Sequence, residues 1–216
     1  MRFVYGFLAA CLMLFMVLVD GCGGGMTPFE DTSNYSGLIL DGWTAYNNNE
    51  FAEAQALFSE AIGVDPARAE GYIGDGWALF MRQKPDSALV VFFKGFEYAG
   101  TGRDSLDTIC GVSGCYLARG ENTRVISYLD RFDLDRLENE FPLEHHDFFL
   151  DRGDLELTYA LAFYRLKIYS STEGPDPNNA VFHMNQALPA PFAYSDPGDL
   201  MERMTEYFNQ SQGIPF

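Results

Sequence analysis

The densest grouping of potential metal ligands in the chain is Glu144-His145-His146-Asp147, with Asp151 and Asp154 close behind. A zinc site needs ligands that converge on one point. Neighbouring histidines diverge on any regular element, and no HExxH spacing accompanies them. The segment therefore reads as an exposed connection, and no metal or other cofactor is expected. Outside the N-terminal segment the thiols are Cys110 and Cys115. Residues five apart on a helix face about 140° away from each other, which forbids a bridge. The intervening Gly-Val-Ser-Gly could bend the chain enough to permit one, so two buried free thiols and a disulfide are both open. Neither cysteine has an adjacent base that would make it a nucleophile. The sequence has no P-loop, dinucleotide fingerprint or Gly-x-Ser-x-Gly elbow. Among 31 acidic residues no carboxylate pair stands out as an acid/base couple. No catalytic residue is assigned, and the chain does not read as an enzyme.

Recognition chemistry is better represented. The formal net charge is −17, from 14 basic and 31 acidic side chains. Such a surface repels phosphate backbones and anionic head groups, which argues against nucleic acid as a partner. The charge serves either solubility or attraction to a basic partner or divalent cations. Aromatic residues make up 15% of the chain, and its two tryptophans fall in identical triplets, Asp41-Gly42-Trp43 and Asp75-Gly76-Trp77. Tryptophan offers a large contact area with a polar handle, as interaction hot spots do.

The triplets lie 34 residues apart, and the same shift maps Ile39 onto Ile73, Tyr46 onto Phe80, Ala54 onto Ala88 and Phe58 onto Phe92. Apolar residues at 54, 57, 58, 61 and 62 follow the spacing of an amphipathic helix. Asn47-Asn48-Asn49-Glu50 and Gln83-Lys84-Pro85-Asp86 are turn material between helices. A 34-residue helix–turn–helix period resembles the tetratricopeptide repeat. Gly42 and Gly76 stand at that family's eighth position, where paired helices cross closely. Ala54 and Ala88 stand at the twentieth, Phe58 and Phe92 four later, and Ala61 and Gly95 three after that. Pro66 closes the first repeat and Gly100 the second. The seventh position, normally apolar in the family, is Asp41 and Asp75 here.

The resemblance implies an all-α solenoid of three to four repeats with a C-terminal capping helix. The repeats would span residues 35–68, 69–102, 103–138 and, in stretched form, 139–190, with the cap at 195–212. In the third unit Val125, Leu129 and Phe132 continue the second-helix pattern. In the fourth, Leu157, Leu161 and Tyr164 share a first-helix face, and Leu200, Met204 and Phe208 mark the cap. Carried over from the family, the side chains facing the concave side are Ile39, Trp43, Tyr46 and Asn47, then Ile73, Trp77, Phe80 and Met81. Either this strip is an open groove for a protein, peptide or small apolar ligand, or C-terminal helices fill it and it is core.

Residues 1–22 stand apart from the fold. Arg2 is followed by an almost wholly apolar run from Phe3 to Val19, ending in Val19-Asp20-Gly21-Cys22 and three glycines. This resembles the lipobox of bacterial lipoprotein signal peptides, although Asp20 stands where a small or apolar residue is usual. The resemblance implies cleavage after residue 21, lipidation of Cys22 and a flexible tether over 22–34. An uncleaved single anchor and plain secretion are the alternatives. Gly23 after the cysteine implies the outer rather than the inner membrane of a bacterial envelope.

Overall fold

The computed structural model describes residues 32–100, 102–133, 151–169 and 177–210, and every regular element among them is an α-helix. In chain order these are α1 (Thr32–Asn47), α2 (Phe51–Val64), α3 (Ala69–Met81), α4 (Pro85–Tyr98), α5 (Arg103–Ala118), α6 (Asn122–Leu129), α7 (Arg152–Arg165), α8 (Ala180–Ala187) and α9 (Pro197–Gln210). Cys22, the tether up to residue 31 and the Glu144–Asp147 segment lie outside the described residues.

Helices adjacent in sequence pack together: α2 on α3, α3 on α4, α4 on α5, α5 on α6, and α7 on α8. Alternate helices also meet, α3 with α5, α5 with α7 and α7 with α9, and Tyr35 of α1 reaches the first turn of α3, so the odd-numbered helices form a continuous row. This is an all-α helical-repeat arrangement of successive helix pairs. The row explains the burial pattern. From Ile73 to Phe80 every residue of α3 is buried, as is every residue of α5 from Leu106 to Cys115. A helix flanked on both sides must be covered all round, whereas α9 at the end of the row buries only Leu200 and Met204.

Glycines set how closely the row can pack. The ring of Phe58 on α2 is wedged between α1 and α3. A Cβ at Gly42 would lie 2.7 Å from that ring, and one at Gly74 would lie 2.3 Å from it. Phe92 on α4 repeats the wedge between Gly76 of α3 and Gly111 of α5, with the corresponding distances 2.7 and 2.3 Å. Both rings are fully buried. Gly74 and Gly111 are 37 residues apart, so the third unit keeps the register after three extra residues in the connection before α5.

The turn after each first helix is also repeated. Asn49, Gln83, Gly120 and Lys167 all adopt left-handed backbone, with φ of 63°, 59°, 72° and 63°. In each case the next residue's N–H closes a bond to the carbonyl five positions back: Glu50 to Ala45, Lys84 to Leu79, Glu121 to Tyr116 and Ile168 to Phe163. This is the Schellman closure, which satisfies carbonyls that the helix end leaves orphaned. Four copies of one turn tie α7 to the same pattern as α1, α3 and α5.

Side chains complete other helix ends. The N–H of Gly71, in the first turn of α3, donates to the Tyr35 hydroxyl at 3.1 Å, and the Arg68 guanidinium lies 4.0 Å from the centroid of that ring. Arg165 Nη1 donates to the carbonyl of Leu117 at 2.8 Å, serving the C-terminal end of α5 from α7. Asp151 and Asp154 form a reciprocal capping box at the start of α7. These two carboxylates, grouped by sequence with the His145-His146 cluster, hold a helix terminus.

Candidate functional site

The eight side chains expected to line a concave groove divide into two sets. Tyr46, Ile73, Trp77 and Phe80 are buried, with relative exposures of 3%, 2%, 0% and 8%. Ile39, Trp43, Asn47 and Met81 are only partly buried. Neighbouring helices account for the division. Trp77 meets Phe92 and Phe80 edge-on, at centroid distances of 5.4 and 5.9 Å, and α5 packs alongside. Its indole N–H donates to Asp107 Oδ1 on α5 at 2.5 Å. A carboxyl group as fully buried as Asp107 needs donors aimed at it. Trp77 is thus core, and it joins α3 to α5.

Trp43 repeats half of that environment. It meets Phe58 and Tyr46 edge-on, at 5.0 and 5.4 Å, but keeps part of its surface open. Beside it lies a cleft of about 60 Å³ lined by Ile39 and Trp43 of α1, Glu70 and Ile73 of α3, and Asp104 of α5. Three successive first helices therefore contribute to one small concavity. Its walls are the apolar side chains of Ile39, Trp43 and Ile73, and its polar groups are two carboxylates. Glu70 is also engaged by Arg68 at 2.6 Å. Such a lining is chemically suited to an apolar stem with a cationic tip, since a cation gains from both an indole face and a carboxylate.

Glu70 and Asp104 do not stand out in a sequence with 31 acidic residues. A signal existed for the first. Glu70 lies 37 residues before Asp107, the register that aligns Gly74 with Gly111. The same place on α5 that carries the Trp77 acceptor thus carries, on α3, a carboxylate beside Trp43.

The two triplet aspartates also separate. Asp41 is exposed, whereas Asp75 is buried at 7% relative exposure. Burial raises the Asp75 carboxyl to about 6, against the opposing influence of Gln55, Arg82 and Ser59. The difference arises because α2 packs against α3 and supplies Gln55 and Ser59 there. Cys110 and Cys115 are free, buried thiols. Burial pushes Cys110 well above the ordinary thiol value and Cys115 up to about 12, so neither is a thiolate at neutral pH.

The chain matches no known family model, and no curated protein is significantly similar to it.

Proposed function

We propose that this chain is a non-enzymatic, tetratricopeptide-type scaffold that binds a protein partner on the face formed by its first helices. The observation that carries the reading is the cleft of Ile39, Trp43, Glu70, Ile73 and Asp104, built from three successive first helices. The 34-residue period, the two glycine–phenylalanine wedges and the four matching turns support the repeat assignment. Two carboxylates in the lining and a net charge of −17 favour a basic partner, whose lysine or arginine would place its stem on Trp43. The lipobox-like Val19-Asp20-Gly21-Cys22 supports a lipid tether on Cys22 in a bacterial envelope, at the outer membrane, with a bridging or assembly role there.

The alternative is a small apolar or peptide ligand in the same cleft, serving uptake or sensing. The volume of about 60 Å³ favours it, since the space suits one side chain or a compact molecule.

Capture from native membranes tests the main reading, with Trp43→Ala and the Glu70→Gln/Asp104→Asn pair as comparisons. Trp43 is the informative tryptophan because Trp77 is fully buried. A partner lost in both variants, and released by salt from the wild type, is the expected result. A partner retained equally by all three proteins overturns it. For the address, a Cys22→Ser chain that stays membrane-bound and is processed at the same site rules out lipid anchoring.

A further inference from the structure

A second concavity lies at the other end of the helix row, between α7 and α9. It has a volume of about 220 Å³. Leu157, Leu161 and Arg165 form one wall, spaced four apart on α7, and Met201, Met204 and Phe208 form the other. The spacing brings each set onto one face of its helix. Asp151 at the start of α7 meets Tyr207 near the end of α9, at 3.3 Å, so the two helices run in opposite directions. The groove therefore has an apolar end at Leu157 and a charged end at Arg165.

We propose that this groove binds a single-chain amphiphile with an anionic head, of the fatty-carboxylate class. Three observations fix the occupant. The first is size. Leu157 to Arg165 spans about 12 Å of helix, and apolar cavities of about 150 Å³ already accept benzene. A groove of about 220 Å³ admits one short alkyl chain. Seven residues line it, against roughly 20–30 a side in a stable protein interface, so a helix or a second copy does not fit the feature.

The second observation is charge. Among the described residues, Arg165 is the one charged side chain in the lining, in a protein whose net charge is −17. Its guanidinium is anchored by the bond to the Leu117 carbonyl at 2.8 Å, which uses one of its five N–H donors. A guanidinium held in place in this way is suited to paired contact with a carboxylate. The third observation is the floor. Met204 is buried and Met201 half-buried, and unbranched thioethers adapt to a flexible chain better than branched side chains do.

The test is calorimetric titration of the full-length chain with hexanoate, octanoate and decanoate, all below their micelle thresholds, with decanol and decylammonium as head-group controls. Affinity rises about three- to fourfold per methylene across the carboxylates. Arg165→Gln weakens decanoate at least tenfold and leaves decanol unchanged, and decylammonium binds more weakly than decanoate to the wild type. Leu161→Trp, which fills the groove and leaves the Arg165 residue itself unchanged, abolishes binding of all chains while the helical circular dichroism signal is retained. Decanoate binding that ignores chain length overturns the proposal, as does binding that survives Arg165→Gln undiminished. Absence of binding by a folded wild-type chain overturns it too, including the case where sedimentation shows this face occupied by a second copy.

Discussion

Replacing Gly74 by alanine tests the wedge that spaces the helix row. In isolation the change favours a helix by about 1 kcal/mol. Here the new Cβ would sit 2.3, 2.4 and 2.5 Å from three carbons of the Phe58 ring. Carbon atoms rest at about 3.5–4.0 Å, so the ring must retreat by more than about 1 Å. Its retreat is blocked, because the same ring lies 2.7 Å from the position a Cβ would take at Gly42, and Trp43 packs on it edge-on at 5.0 Å. Overpacking of this kind costs about 1–3 kcal/mol. The net expectation for Gly74→Ala is destabilisation of about 0–2 kcal/mol. Gly37→Ala on α1 is the control, since nothing lies within 4 Å of its Cβ position. It should stabilise by about 1 kcal/mol. Urea midpoints should therefore move in opposite directions, and melting temperatures should differ by several degrees at about 2–4 °C per kcal/mol for a chain of this size. Phe58→Leu in the Gly74→Ala background should recover part of the loss. Equal stabilisation by Gly37→Ala and Gly74→Ala would refute the wedge.

Other perturbations have equally direct readouts. Gln83→Gly and Lys167→Gly each relieve a left-handed residue at φ near 60° and should stabilise by up to about 1 kcal/mol, read by urea unfolding; a loss of stability would count against the Schellman turns. Asp75 has a folded-state value of about 6, above its ordinary 3.8, so the native state binds its proton more tightly. Its contribution therefore declines as pH rises from about 4 to 6, and its penalty is fully present above that window. Asp75→Asn should raise stability at pH 7 by on the order of 2–3 kcal/mol and remove that part of the pH dependence, measured by unfolding at pH 4, 5, 6 and 7. Trp77→Phe keeps most of the ring but deletes the donor to Asp107, and should cost about 2–3 kcal/mol. Asp107→Asn in that background should restore part of it, and an unchanged melting temperature in the single variant would show that the bond contributes little.

The sequence by itself determined the features that are local and periodic. The 34-residue shift, the amphipathic spacing of α2 and the turn residues each act within one or two helices, and so they are legible without knowing which helices meet. The all-α architecture follows from them. Tertiary structure decided what those features do. The glycines at 42 and 76 were visible as close-packing positions, but each is one side of a wedge whose other side, Gly74 or Gly111, comes from the next helix of the row. The two tryptophans have the same local sequence and different fates. Trp77 is enclosed by α5 and bound by Asp107, whereas Trp43 remains at an open cleft. Asp41 and Asp75 diverge for the same reason, since only Asp75 sits against Gln55 and Ser59. Burial depends on which elements arrive from elsewhere in the chain, and a period in sequence carries no record of where the stack is covered and where it is left open.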